Sequence, residues 1–178
     1  EHLIVPLGID VRGKKHVMGL WQGATENTEI CRNLLEDMQG RGLDTSKDYL
    51  FVLDGSKALR SAVTKMFGKD TSVQRCQQHK RRNVKEHLPP EHQGAIDTRL
   101  RAAYNMANYE DAKKSLELTV KYLERLNPSA ARSLEEGLEE TLTVHRLGIT
   151  GILKKVLSST NPIESCFAIM RTVTDRVK

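Results

Sequence analysis

Long apolar runs, paired cysteines and aromatics are the three things this 178-residue chain has little of. No stretch approaches the roughly 20 apolar residues that a membrane-crossing helix needs, so the sequence predicts a protein that is not membrane-bound. The N-terminal Glu1-His2-Leu3 lacks the charged-then-apolar order of a secretory leader. Cysteine occurs three times, as Cys31, Cys76 and Cys166, an odd number without framework spacing. That excludes a disulfide scaffold and points to a reducing, cytoplasmic compartment. Aromatics are 4% of the chain, and the one tryptophan, Trp21, reads either as a core residue, the commoner case, or as a platform on which a splayed base could stack. What the chain does have is basic charge, with 28 Lys and Arg against 23 Asp and Glu, a net +5 that favours a polyanionic partner.

The first half reads as α/β. Leu3 to Ile9 and Lys15 to Trp21 are predicted as antiparallel strands around a turn at Val11 to Lys14. Thr25 to Arg41 carries helical spacing through Ile30, Leu34, Leu35 and Met38, with Thr25 or Asn27 as cap. Asp48 to Leu53 is apolar enough for a central strand covered on both faces. A helix over Ser56 to Phe67 and a short strand over Thr71 to Arg75 follow, giving the alternation of a layered α/β fold. Beyond Pro89-Pro90 the strand pattern ends. Residues 94–147 hold helix formers, charge pairs and a Leu116, Val120, Leu123, Leu126 stripe, with a break at Asn127-Pro128. A last helix starts at Asn161-Pro162 and runs to Val173 or further. The expected organisation is therefore a core over 1–89, an all-helical insertion over 90–150 and a returning helix over 151–178.

Few residues carry chemistry, and each has a structural explanation beside the functional one. Asp54 ends the strand Tyr49 to Leu53, where ligand sites of α/β sheets gather. Asp-Gly is also a turn, and Asp54 is placed to cap the helix after it. Glu164 sits at N3 of a helix opened by Asn161 and Pro162, a capping arrangement as well as a ligand position. Two such carboxylates, brought together, are minimal equipment for holding a divalent metal at a phosphodiester. Cys76-x-x-His79 has metal-ligand spacing, with His87 and His92 downstream as further zinc donors; the plainer reading packs Cys76 in the core while His79 orients a neighbour. Arg75, Lys80, Arg81, Arg82 and Lys85 around it form a positive patch suited to phosphates, or a solvated basic helix face.

Taken in order, Gly8-Ile9-Asp10-x-x-Gly13-Lys14, Trp21-x-Gly23-x-x-Glu26, Arg41-Gly42-Leu43, Val52-Leu53-Asp54-Gly55, Gln74-Arg75-Cys76-x-x-His79-x-x-Arg82-Asn83 and Ser159-Thr160-Asn161-Pro162-Ile163-Glu164-Ser165 are specific. Over nearly its whole length the chain resembles the mutator-type transposases of bacterial insertion sequences. The resemblance implies a DDE recombinase with an RNase H-like core, a helical insertion before the catalytic helix, and two Mg²⁺ (or Mn²⁺) ions held by two aspartates and a glutamate. Matched motif by motif, Asp54 is the second aspartate and Glu164 the glutamate. Arg75, Cys76, His79, Lys80, Arg81, Arg82 and Asn83 are then expected to support the site or contact DNA. The resemblance further implies DNA (transposon ends and target) as partner, homo-oligomeric assembly, and a nucleoid-associated protein of the bacterial cytoplasm.

One strand of an RNase H-like core is missing at the front. Asp10 ends a strand at a hairpin and matches a different family position, so the expectation is that the first catalytic aspartate precedes residue 1 and that the chain is an internal fragment, inactive alone. A decayed or domesticated transposase that binds DNA without catalysis is the alternative of another class, and a zinc-stabilised domain on Cys76, His79, His87 and His92 is a further one.

Overall fold

A computed structural model of the chain describes residues 2–23, 28–165 and 167. Thr25, Glu26, Asn27, Cys166 and the stretch to Val173 lie outside them, so the predicted Thr25 or Asn27 cap and the far end of the last helix do too. The described residues form a mixed α/β protein, mostly helical, with three two-stranded ladders. They divide into two compact units: Glu1–Leu50, Ser56–Ser72 and Asn161–Lys178, and Phe51–Gly55 with Val73–Thr160.

In the first unit β1 (His2–Ile4) pairs antiparallel with β4 (Trp21–Gly23), and β2 (Leu7–Ile9) with β3 (Lys15–Val17). Each expected long strand is thus two short ones. Pro6 explains the break, because it has no N–H to donate to a ladder; its carbonyl still accepts from Met18 N at 2.9 Å, so the two halves stay in step. The turn is where the sequence puts it. Asp10 Oδ1 accepts from Arg12 N and Lys14 N, both at 2.9 Å, and Gly13 takes φ 78°, which a side chain would resist. Asp10 is thereby occupied as a turn residue, with His16 Nε2 3.0 Å from its other oxygen.

Helix α1 (Thr28–Gly40) buries Cys31, Leu34, Leu35 and Met38 against α2 (Lys57–Phe67), which contributes Ala62 and Val63. Cys31 packs as the small apolar residue its helical position predicts. Tyr49 meets Phe67 edge to face, with ring centroids 5.8 Å apart.

Strands β5 (Leu50–Leu53) and β6 (Ser72–Arg75) make the third ladder. β5 is half-buried at every position, not covered on both faces as its composition predicts. Among the described residues it has one ladder neighbour, which leaves the other edge without a strand.

Past β6 the second unit is helical. Helices α3 (Gln77–Glu86), α4 (Pro90–Asn105), α5 (Tyr109–Leu126) and α6 (Pro128–Glu135) pack pairwise around one core. A 3₁₀ turn at Glu139–Leu142, α7 (Thr143–Arg146) and α8 (Gly151–Leu157) follow. Leu116, Val120 and Leu123 of the α5 stripe face that core beside Ile96, Leu100 and Leu134, with Leu126 at its margin. The break at Asn127 is double duty. Its backbone N–H closes α5 on Leu123, and its side chain accepts from Ser129 N and Ala130 N to open α6 ahead of Pro128. Residues 161–165, in the first unit, are helical, as predicted from Asn161-Pro162. No helix among the described residues is long and apolar enough to cross a membrane.

Candidate active site

Asp54 is exposed at the C-terminal end of β5, followed by Gly55 at φ 116°. It does not cap α2. Ser56 does, its Oγ accepting from Leu59 N at 3.1 Å. One structural explanation of the aspartate is thereby removed, and its carboxylate stands where a strand end presents ligands to solvent.

Within the same unit, Cys76 links the end of β6 to the start of α3. Its backbone N–H donates to Leu53 O at 2.7 Å, tying the residue before Asp54 to the motif. Its side chain, fully buried, is the N-cap of α3 and accepts from His79 N at 3.5 Å. His79 Nδ1 lies 3.1 Å from the sulfur, and Thr160 approaches it with N at 3.4 Å and Oγ1 at 3.5 Å. Burial pushes the thiol up, but the hydrogen bonds from the His79 ring and amide and from Thr160 outweigh it and bring it down to about 7. His79 moves the other way. The hydrogen bond to Cys76 raises its proton affinity against the effect of burial; the charge on Cys76 adds to the rise, Arg82 opposes it and Asp54 supports it. The motif is therefore a Cys–His–Thr cluster whose hydrogen bonds favour the charged forms of both Cys76 and His79. His79 Nδ1 and the sulfur address each other rather than a shared third point, and among the described residues no three His, Cys, Asp or Glu side chains converge as metal ligands. His87 closes α3 through its own N–H, and its carbonyl accepts from Asn127.

The neighbouring cations are not one open patch. Lys80 is 1% exposed, and its Nζ donates to Ser133 O and, at 2.6 Å, to Glu136 O, carbonyls at the end of α6. Burial and then Arg75 push this amine down to about 8, against Glu136 and Glu140. Arg75 donates to Glu136 O at 3.2 Å and Gly55 O at 3.5 Å. Its guanidinium runs between Gly55 and Gly137, both at positive φ, and a Cβ on either would press into it. Arg81 grips Asp97 with both ends of its fork at 2.7 to 2.9 Å, and Lys85 and Arg101 join the same carboxylate. Arg82 is the one that faces outward, 4.0 Å from Glu86, and Asn83 is half-buried on α3.

Two glutamines that the sequence reading passed over hold this region. Gln74, fully buried, donates to Arg75 O and Thr141 O and accepts from Val144 N, while Gln77 also donates to Thr141 O. Thr143 Oγ1 donates to Val73 O at 2.6 Å. These bonds satisfy the free side of β6 with side chains in place of a further strand. A glutamine two residues before Cys76, and so on the same strand face, was the available signal.

All of residues 1–178 match the family described as Transposase, Mutator family. The chain belongs to that family. It is 30% identical over 176 residues to the transposase for insertion sequence element IST2 of Acidithiobacillus ferrooxidans, covering 99% of this chain and 58% of the relative. It is 31% identical over 180 residues to the transposase for IS6120 of Mycolicibacterium smegmatis, covering 99% and 53%. The transposase for IS256 in transposon Tn4001 of Staphylococcus aureus is 26% identical over 162 residues, 90% of this chain and 40% of the relative. The chain thus spans about half the length of the curated relatives it matches. Glu164, the other carboxylate that the motifs single out, is exposed in the helical residues 161–165 and belongs to the first unit, whereas Asp54, Cys76 and His79 belong to the second.

Proposed function

We propose that this Mutator-family chain is part of a DDE transposase that cuts an insertion sequence from DNA and joins it to a target, with Asp54 and Glu164 as metal ligands on an RNase H-like core. The observation that carries the reading is the family match over residues 1–178, a span that includes Asp54 and Glu164. The exposure of Asp54 at a strand end, with Ser56 doing the capping, supports it.

The donor set suits the metal. Carboxylate oxygens are hard ligands of the kind Mg²⁺ and Mn²⁺ prefer, and neither carboxylate is buried. When bound, the paired ions supply an activated water or 3′-hydroxyl and neutralise charge at the phosphorus. The chain's own part is positional. Gly55, which alone tolerates φ 116° with Arg75 packed against it, sets the direction in which the strand leaves Asp54. The Cys76 N–H on Leu53 O fixes the strand end, and the Cys76–His79–Thr160 cluster holds the chain just ahead of Asn161 to Glu164 in sequence. The same reading makes the protein a homo-oligomer acting on DNA in the bacterial cytoplasm.

The test uses the full-length protein with transposon-end DNA and Mg²⁺ or Mn²⁺. Asp54→Ala and Glu164→Ala are each expected to lower cleavage and strand transfer by about a thousandfold or more, since a lost metal ligand removes several kcal/mol of transition-state stabilisation. Retained cleavage in either variant rejects the assignment.

A further inference from the structure

The solvent face of α5 carries charge that the fold does not use. Lys114, Lys121 and Arg125 lie at i, i+7 and i+11, one ridge pointing directly away from the Leu116, Val120 and Leu123 face, and all three are exposed. Among the described residues none of the three has an ion pair or side-chain hydrogen bond, in contrast to Lys113 next door, which reaches Glu139 at 2.6 Å. Alongside the ridge run Leu118 and Tyr122, large apolar groups that are 57% and 46% exposed. The Arg99 guanidinium of α4 stacks 4.6 Å from the Tyr122 ring centroid, which orients a fourth cation while leaving the edges of its fork available. Glu117 and Glu124 fall on the flank of the ridge away from Tyr122, and Glu110 and Asp111 sit in the first turn, ahead of Lys114, where Asp111 is engaged by the Asn108 cap, so no acidic group of the helix lies within the strip from Lys114 to Arg125.

We infer that this strip, Arg99, Lys114, Lys121 and Arg125 with Leu118 and Tyr122 beside them, is a docking surface for the phosphate backbone of duplex DNA. Charge decides the occupant. A row of solvated cations along one helix face costs the fold little, and binding a polyanion gains when each phosphate contact releases a condensed counterion. Leu118 and Tyr122 offer apolar contact to the sugars, and nothing in the strip reads base edges, so the binding is independent of sequence. The inference rests on the reading of the protein as a transposase acting on DNA, but it concerns a surface and needs no metal.

The experiment measures binding of the protein to a labelled random-sequence duplex in EDTA across a salt series, for the wild type and for Lys114→Gln/Lys121→Gln/Arg125→Gln. Glutamine keeps helix propensity, and thermal unfolding of the triple variant verifies the fold. Three lost phosphate contacts should flatten the slope of log affinity against log salt by about 2 to 3, so that a fourfold rise in salt costs the wild type about 40-fold more affinity than the variant. A second set, Lys15→Gln/Lys65→Gln/Lys69→Gln, removes equal charge from other exposed positions and should leave the slope nearly unchanged. No duplex binding by the wild type, an unchanged slope in the α5 variant, or an equal loss in both sets overturns the inference. So does a change in sedimentation of the protein alone without a change in slope, which would give the face to a second copy. None of these outcomes touches the Asp54 and Glu164 assignment, which stands or falls on cleavage.

Discussion

The cations of α3 and those of α5 have nearly the same composition and opposite fates. Around Cys76 the sequence packs Arg75, Lys80, Arg81, Arg82 and Lys85 so densely that a phosphate-binding patch is the natural reading, yet Lys80 ends on the carbonyls of α6, Arg75 is gripped by Gly55 and Gly137, and Arg81 and Lys85 converge on Asp97. On α5, where Lys114, Lys121 and Arg125 are dispersed among glutamates, nothing in the described fold takes them. The difference teaches that density of charge along a chain does not measure charge offered to a partner. What matters is whether the fold supplies an acceptor, and helix ends supply several at once.

The comparison breaks most sharply at Lys80. If its ammonium is structural, Lys80→Ala removes two hydrogen bonds to the carbonyls at the end of α6 and leaves a cavity, and we expect a loss of about 3 to 4 kcal/mol in urea unfolding. Lys80→Met fills the space without the bonds and should lose about 1 to 3 kcal/mol. The titration gives a second check. The folded-state value of about 8 lies below the ordinary lysine value of 10.5, so the folded protein sheds this proton before the unfolded chain does. Between those values the unfolded state binds more protons, and stability contributed through this group rises with pH from about 8 towards 10.5. That rise should be missing in Lys80→Met. A Lys80 variant as stable as the wild type would return this residue to the surface-patch reading.

Next in size is the cradle of Arg75. Gly137→Ala puts a Cβ into a guanidinium held on both sides and forces φ 68° on an L-residue, for an expected loss of about 1 to 3 kcal/mol; Gly55→Ala should behave similarly. Replacing Arg75 by Ala alongside Gly137→Ala relieves the clash, so the pair should be less damaging than the sum of the single changes. Strict additivity would mean that the glycines serve backbone geometry alone.

Arg81→Ala is expected to cost about 1 to 2 kcal/mol, since the fork on Asp97 is well aligned and only 17% of the Arg81 side chain and 13% of the Asp97 side chain is exposed. Asp97 also faces Lys85 and Arg101, so Asp97→Ala leaves three cations together and should be the worse of the two.

The local signals of the sequence were legible where one residue sets one bond. Asp10 and Gly13 specify the hairpin turn, Asn127-Pro128 ends one helix and starts the next, and Cys76 lands at a buried strand end with His79 beside it, as its plainer reading predicts. Pro6 carried a signal too, the missing N–H that splits the first strand, but the apolar run from Leu3 to Ile9 masked it. What could not be read are bonds to partners far along the chain. Gln74 and Gln77 meet Thr141, and Lys80 meets Ser133 and Glu136, across separations that no local pattern encodes. Lysine is moreover so seldom buried that its burial is never the sequence-level expectation. Asp54 was placed correctly at a strand end, and the cap that competed for it turned out to be Ser56.

The smallest effect discriminates best between the two helices. The α5 triple change Lys114→Gln/Lys121→Gln/Arg125→Gln should alter unfolding free energy by no more than about 0.5 kcal/mol, because exposed side chains without partners contribute little to the folded state. Removing like charges along one helix face relieves mutual repulsion, so the sign should be neutral to slightly stabilising. The corresponding change on α3, Lys80→Gln/Arg81→Gln/Lys85→Gln, removes as many positive charges and should cost several kcal/mol. A comparable cost on α5 would mean that its ridge is structural after all, and the contrast between the two helices would disappear.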